Sequence, residues 1–197
     1  MIQVLNSILS DICTINEKKN IIVIMPLNSV FPEDYIEVDY REKLIKIKEI
    51  HRSNEKNILE TENTNEACAV TCVLALRLFS ALKRDEVVEQ LRALIKENFF
   101  EEAHRLLDKH LSTNDYSIGK ECYDKVSLIE AGANADVKYH SEYLAKSAGL
   151  PRAYVVLYNY SKKKSFIETW CAENIALVNN FVDADKLVEL YMFGYIK

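Results

Sequence analysis

Apolar side chains form their longest pattern in this chain between Asn63 and Leu82. The segment NTNEACAVTCVLALRLFSAL would be apolar on nearly every side of a helix, and Arg77 is its only charge after Glu66. A helix without a wide polar face belongs in a core, and about sixteen apolar-rich residues fall short of the roughly 20 that a bilayer span needs. We therefore expect a buried central helix, capped by Asn63 with Glu66 three residues later.

The residues before this helix alternate between apolar and polar in a way that predicts strands. In DYIEVDY, Ile36 and Val38 would face one side of a sheet while Tyr35 and Glu37 face the other. The short connection YREK to LIKIKEI makes an antiparallel hairpin the simplest arrangement. The complete prediction for this part is an opening helix with apolar positions over 2–12 that ends near residues 14–19, strands over 20–25, 34–40 and 44–50, and a polar loop over 51–64.

Two amphipathic helices are predicted next, over 85–96 and 99–111, by apolar positions at helical spacing. The segment 126–138, VSLIEAGANADVK, resembles the end of an ankyrin repeat, in which a helix closes on Gly132. The runs RAYVVLYNY and SFIETWC flank SKKK and predict a second hairpin, because they are rich in residues that favour strands. A last helix is expected over 183–193, ended by Gly194.

These elements indicate an α+β fold of antiparallel β-hairpins packed against a bundle of helices around the buried central helix. Hydrophobic residues make up 49% of the chain, and only four glycines and three prolines are available for linkers. Such a composition is typical of a globular protein with little disorder. We expect one domain over 1–197, with sub-layers at 1–62, 63–149 and 150–197.

The net charge of -5 argues against nucleic acid or an anionic membrane as a direct partner, and favours a cationic protein partner. Five cysteines, odd in number and scattered among apolar residues, are typical of reduced structural thiols, which indicates the cytoplasm. No basic region precedes an apolar run at the start, so no signal peptide is expected.

No motif predicts a metal or cofactor site. Cys68 and Cys72 would share one helix face, but two thiols fall short of the four ligands of a structural zinc site. The glycines at 119, 132, 149 and 194 stand too far apart for a phosphate-binding loop. We therefore expect a non-catalytic protein without a metal or cofactor.

One short motif offers an enzymatic alternative. In HRLLDKH, Arg105 and His110 resemble the R-x4-H signature of HEPN ribonucleases. This resemblance implies that Arg105 holds the scissile phosphate and His110 handles a proton, without a metal. A polar residue usually follows the arginine in that family, whereas Leu106 follows it here, and the family is all-helical.

The favoured functional surface is the polar face of the predicted strand 34–40. Its carboxylates surround an aromatic side chain, and such a face could steer a basic protein, with Tyr35 as its anchor. Residues 1–63 hold 11 acidic and 8 basic side chains. The candidate partner-binding residues are Glu33, Asp34, Tyr35, Glu37, Asp39, Glu60 and Glu62, with the last two on the polar loop.

The order of elements in KLIKIKEIHR followed by ILETENTNEACA resembles bacterial immunity proteins, in which a hairpin strand and a polar link precede an alanine-rich helix. The resemblance covers about forty residues and implies an inhibitor that neutralises a cationic nuclease toxin by occluding its active site. Its carboxylates would then occupy the basic cleft of the toxin.

A helical adaptor is the remaining alternative. The segment LIKENFFEEAHRLL resembles one helical hairpin of a tetratricopeptide array, and the ankyrin-like segment would add to it. No second copy follows at a fixed period, so a true repeat protein is not expected.

Overall fold

The computed structural model describes residues 1–29, 32–80, 85–178 and 183–196. It has the α+β fold class expected from the sequence, with helices and two separate sheets. In chain order, the elements are α1 (Ile2–Leu9), β1 (Cys13–Lys18), β2 (Ile21–Pro26), β3 (Asp34–Asp39), β4 (Ile45–His51), β5 (Asn54–Thr61), α2 (Thr64–Phe79), α3 (Glu86–Lys96), α4 (Phe100–His110), β6 (Tyr116–Ile118), β7 (Val126–Ala131), β8 (Asn134–Tyr139), β9 (Glu142–Gly149), α5 (Leu150–Glu173), α6 (Ile175–Val178) and α7 (Ala184–Phe193).

The contacts within the chain group it into two compact units. Unit 1 is Met1–Leu82 with Ile167–Lys197, and unit 2 is Lys83–Phe166. The last residues of α5 therefore belong to unit 1 and the rest of this helix to unit 2. The expectation of one domain over 1–197 stays a prediction.

Unit 1 is built on a five-stranded antiparallel sheet in which each strand pairs with the next along the chain, from β1 to β5. Its inner face is apolar and fully buried at Ile22, Ile24, Ile36, Val38 and Ile47. Helix α2 packs on this face. The β3–β4 hairpin expected from the sequence is confirmed.

The central helix α2 matches its prediction. The side chain of Asn63 accepts hydrogen bonds from the backbone N–H groups of Asn65 and Glu66, at 2.9 and 3.2 Å. Every residue from 67 to 76 is buried, and helices α1 and α7 also pack against α2. An all-round apolar sequence therefore produces a helix enclosed on all sides, as expected.

Two edge strands of this sheet were not predicted. The opening helix ends at Leu9 and not near residue 14, and β1 follows it. The predicted polar loop 51–64 is wrong over residues 54–61, which form β5. Both strands are polar and exposed over much of their length, as edge strands often are, so their side chains carry little apolar signal.

Unit 2 combines helices α3 and α4 with a four-stranded sheet in the order β6-β7-β8-β9 and with the first part of α5. The short strand β6 runs parallel to β7, and the other pairs are antiparallel. Helices α3 and α4 match the two predicted amphipathic helices closely.

Two predictions in the last third of the chain are wrong. The ankyrin-like segment 126–138 does not contain a helix that ends at Gly132, because β7 and β8 form a hairpin there. The second hairpin expected over 152–171 is the single helix α5. The last helix is confirmed, since α7 ends at Gly194, whose φ of 80° lies in the left-handed region. None of the helices in the described part of the chain has both the length and the apolar character needed to cross a bilayer.

Candidate functional site

The strand β3 has the two-sided pattern that the sequence predicts. Ile36 and Val38 are fully buried against the core, while Glu37 and Asp39 are only partly buried on the outer face of the sheet. Tyr35 shares the outer face because side chains alternate along a strand. The outer face thus holds three of the seven candidate partner-binding residues on one strand.

Cross-strand pairing places basic side chains beside these carboxylates. Glu37 lies opposite Lys48 on β4, and Asp39 lies opposite Lys46. Lys46 in turn lies opposite Glu60 on β5. Glu60 therefore belongs to the sheet itself and not to a loop behind it, which corrects the prediction. Acidic and basic side chains alternate from strand to strand across β3, β4 and β5.

Direct ion pairs neutralise part of this face. The guanidinium of Arg41 donates to both carboxylate oxygens of Asp39, with a closest approach of 2.5 Å, and this contact lowers the pKa of Asp39. Lys48 Nζ donates to Glu55 Oε2 at 2.7 Å, which raises the pKa of Lys48. The face is consequently less negative than its carboxylates alone suggest.

The carboxylates at the two ends of the sheet are also paired. At one end, Asp34 contacts His51, and Arg52 Nε donates to Glu33 Oε2 at 2.8 Å. At the other end, Lys43 Nζ lies 2.7 Å from Glu62 Oε2. Three of the six candidate carboxylates therefore have a lysine or arginine partner, and a fourth contacts a histidine. In the described part of the chain, Glu37 and Glu60 take part in none of the ion pairs.

A concave site lies beside Tyr35 at the end of the sheet where β4 turns into β5. Arg52 and Ser53 make this tight turn with φ values of 48° and 67°. The pocket has a volume of about 530 Å³ and is lined by Pro32, Glu33, Tyr35, Arg52 and Ser53. It offers an aromatic ring, a carboxylate and a guanidinium, which suits a polar side chain of a protein partner.

A second concave site, which the sequence pattern does not reveal, lies on the outer face, and we call it the β1–β3 groove. Its floor is an apolar column formed by the side chains of Ile21, Val23 and Met25 on β2, and its walls come from β1 and β3. The groove has a volume of about 570 Å³ and is lined by Asn16, Lys18, Lys19, Ile21, Val23, Met25, Glu37 and Arg41. A continuous apolar run such as that of β2 is typical of a strand buried on both faces, so it gives no sign of an accessible apolar surface.

The two residues of the ribonuclease alternative lie on α4 and are exposed. Arg105 Nη2 is 3.6 Å from Glu101 Oε2, in an ion pair in which both side chains are at least 75% exposed. His110 is the last residue of α4 and is also exposed. Five residues of helix separate their directions by about 140° around the axis. The helix therefore does not aim them at one point.

A different histidine on α4 is held inside unit 2. His104 Nε2 lies 2.9 Å from the hydroxyl of Tyr154, and that hydroxyl donates to Glu130 Oε1 at 3.0 Å. The phenol ring of Tyr154 is fully buried. Burial raises the pKa of Tyr154, and the neighbouring charge of Glu130 raises it further. The tyrosine thus stays protonated and joins α4, β7 and α5.

The cysteines are free thiols, and four of the five are buried. Burial raises the pKa of Cys13 to about 12 and that of Cys171 to about 11, so these thiols are protonated at neutral pH and are poor nucleophiles. Among the described residues, no group of three or more His, Cys, Asp or Glu side chains is arranged to hold a metal ion.

Comparisons with known proteins identify no relative of this chain. No protein-family model, curated protein or solved structure matches this chain. The function is therefore inferred from the geometry of the outer face of the five-stranded sheet.

Proposed function

We propose that this chain is a non-catalytic cytoplasmic protein that binds another protein, and that its partner is a cationic nuclease toxin which it neutralises as an immunity protein. The observation that carries this proposal is the outer face of the five-stranded sheet. That face combines the aromatic ring of Tyr35, beside a pocket, with the carboxylates Glu37 and Glu60, which take no part in the described ion pairs.

The charge of unit 1 supports a cationic partner. Unit 1 contains 17 acidic and 11 basic side chains, a net charge of -6, whereas unit 2 contains 13 acidic and 14 basic side chains, a net charge of +1. A net negative unit attracts a basic protein over a distance comparable to the Debye length, about 10 Å at 0.1 M salt. Attraction of this kind increases the association rate of a complex.

The ion pairs on the face are compatible with such a partner. In the pair of Lys43 and Glu62, the side chains are 84% and 58% exposed. Exposed pairs of this kind contribute only about 0.2–1 kcal/mol, because water already solvates both charges. A basic side chain of the partner can therefore replace the internal cation at little cost, and Glu62 then binds the partner instead of Lys43.

The proposed mechanism is steric and electrostatic. Carboxylates of the face occupy the basic cleft in which the toxin would bind nucleic acid, and the ring of Tyr35 packs at the edge of the contact. An aromatic anchor surrounded by polar side chains is a common arrangement in protein interfaces. No catalytic group of this chain is required.

The test is affinity capture from native cell extract at low salt, followed by a high-salt wash and identification of the eluted proteins. The bait proteins are the wild type, the variant Glu60→Lys/Glu62→Lys, and the control Glu101→Lys/Glu102→Lys. The control makes the same charge change on α4, where both glutamates are exposed.

We expect the wild type and the control to retain one basic protein that salt elutes, and the face variant to lose at least about nine-tenths of it, equivalent to about 1.4 kcal/mol. Nuclease activity of that protein should disappear when the wild type is added. Equal capture by the face variant, or capture of RNA alone, would reject the proposal.

A further inference from the structure

The β1–β3 groove has an apolar floor between two charged walls. Ile21, Val23 and Met25 project from β2 onto the outer face, where they are only partly buried, whereas Ile22 and Ile24 on the inner face are fully buried. Lys18 and Lys19 come from the β1 side, and Glu37 and Arg41 come from the β3 side. An accessible apolar strip with a charged rim is typical of an interaction surface.

Among the charged side chains that line the groove, Arg41 is paired with Asp39. In the part of the chain that the structure describes, Lys18, Lys19 and Glu37 belong to none of the ion pairs. Asp39 lies one residue pair further along β3, opposite Ile21, and Lys18 lies opposite the same isoleucine from the other side. Across Ile21, Lys18 thus faces the ion pair of Asp39 with Arg41, and Glu37, which none of the described ion pairs includes, lies two residues along the same strand.

This arrangement is complementary to itself. A two-fold axis that runs parallel to β2, just above the sheet, would place β1 of a second copy over β3 of the first. Lys18 of each copy would then lie over the column of Glu37 and Asp39 of the other, and the apolar columns of the two β2 strands would face each other. A two-fold interface repeats every such contact twice.

We propose that the β1–β3 groove is the interface of a homodimer, in which two copies pack the outer faces of their five-stranded sheets against each other across this two-fold axis. Sheets that pack face to face lie about 10 Å apart with strands within about 30° of parallel, and a lysine side chain reaches across that separation. A second copy carries the same two walls, and the two-fold axis brings Lys18 of each copy over β3 of the other.

The dimer goes beyond the proposed toxin binding, but both interactions use strand β3. The second copy covers Tyr35 and Glu37, so these two side chains contact either the second copy or the toxin and not both at once. Because the axis lies over β2, strand β4 and strand β5 of each copy extend past β1 of the other and stay uncovered. Glu60, on β5, therefore remains accessible to another protein in the dimer.

The test is the mass of the purified full chain in solution, measured by sedimentation equilibrium at low salt over a range of concentrations. The chain has a mass of 22.7 kDa, so the expected dimer has twice that mass. The variants are Lys18→Glu, Glu37→Lys, the double variant that carries both changes, and Val23→Asp. The control is Lys109→Glu, the same charge change at an exposed position of α4. Circular dichroism of each variant serves as the check that it is folded.

We expect each single charge reversal to raise the dimer Kd at least about tenfold, because it places like charges together at both symmetric contacts. The double variant should regain a Kd close to that of the wild type, since its exchanged charges again face each other. Val23→Asp should be monomeric, and Lys109→Glu should behave as the wild type. A monomeric wild type, or a double variant no tighter than the single ones, would overturn the proposal. Loss of the dimer in Lys18→Glu or Val23→Asp without loss of toxin capture would leave the proposed function intact, whereas Glu37→Lys changes both surfaces.

Discussion

The guanidinium of Arg77 fills the space in which a side chain at Gly194 would begin. A Cβ atom built on Gly194 would lie 2.5 Å from Cζ and 2.9 Å from Nη1 of Arg77. The same arginine approaches Glu49 at 3.6 Å, and Lys56 Nζ donates to the carbonyl oxygen of Gly194 at 2.8 Å. The single charge in the apolar part of α2 thus connects the end of α7 to β4, and Lys56 connects it to β5.

Substitution of Gly194 by alanine should destabilise unit 1 by about 2 kcal/mol. About 1–2 kcal/mol comes from a Cβ atom at a left-handed φ, and the displacement of Arg77 from Glu49 adds to it. The measurement is urea unfolding with the fluorescence of Trp170 as the probe. Trp170 is the only tryptophan and belongs to unit 1.

The variant Arg77→Ala separates the two causes. In that background Gly194→Ala should cost about 1 kcal/mol less than in the wild type, because no guanidinium remains to be displaced. If the two substitutions are additive, the close approach of Arg77 to Gly194 makes no contribution to stability.

The well-predicted parts of the fold are those in which burial follows the local period of the chain. The strands β3 and β4 repeat their apolar residues at the spacing of one buried face, and α2 is apolar on nearly every side over the length of a helix, so the sequence identifies all three. The edge strand β5 contains a register shift opposite Ile47 and Lys48, which interrupts the alternation. The period that reveals a strand is therefore missing from β5.

The helix α5 shows how tertiary packing overrides local preference. Its Tyr and Val residues favour strands, but Ala153, Tyr154, Leu157 and Tyr158 are buried at the spacing of a helix face.

The candidate site was also predicted only in part from the sequence. The sequence predicted which side chains of β3 face outward, but the ion pair of Asp39 with Arg41 and the groove depend on cross-strand neighbours that the local pattern does not reveal.

Removal of the Tyr154 hydroxyl should destabilise unit 2. In Tyr154→Phe, His104 and Glu130 each lose a partner at about hydrogen-bond distance while the buried ring is retained. Loss of a partly buried hydrogen-bond pair costs about 1–3 kcal/mol. Far-UV circular dichroism during urea unfolding measures the loss. Tyr160→Phe, on the same helix, is the control, and we expect it to change stability by less than about 0.5 kcal/mol. Equal losses in both variants would mean that the network does not stabilise the unit.

Buried thiols should make unit 1 less stable at alkaline pH. Burial raises the pKa of Cys13 from 9.0 to about 12, so the unfolded chain loses this proton first as the pH rises. Between about pH 9 and 12 the unfolded state then binds fewer protons than the folded state, and the free energy of unfolding falls by up to about 1.4 kcal/mol per pH unit and thiol. Below pH 9 the stabilisation is complete.

The variant Cys13→Val tests this pH dependence under reducing conditions. Any packing change caused by valine is the same at every pH, so the slope of the unfolding free energy between pH 9 and 10.5 is the relevant quantity. We expect this slope to be less steep than in the wild type, with Trp170 fluorescence as the probe. Identical slopes would show that Cys13 ionises alike in both states.

Asp85 should stabilise unit 2 at neutral pH and lose this effect in acid. Its carboxylate accepts hydrogen bonds from Lys162 Nζ and the Tyr158 hydroxyl, both at 2.7 Å, and these contacts lower its pKa from 3.8 to about 2. The folded pKa lies below the unfolded value, so the stabilisation is present above pH 3.8 and disappears as the pH falls through about 2. Lys162 is 49% exposed, and solvent therefore reduces the effect to about 1–2 kcal/mol.

The variant Asp85→Asn removes this charge but keeps a side-chain oxygen that can accept from the backbone N–H of Val87 and cap α3. We expect it to be about 1–2 kcal/mol less stable than the wild type at pH 7, and the difference to shrink towards pH 2, because the wild-type carboxyl is then also neutral. Glu101→Gln removes the exposed pair with Arg105 and should cost less than about 0.5 kcal/mol. A difference for Asp85→Asn that is the same at pH 7 and pH 2 would instead assign its effect to the helix cap, since the cap does not require the charge.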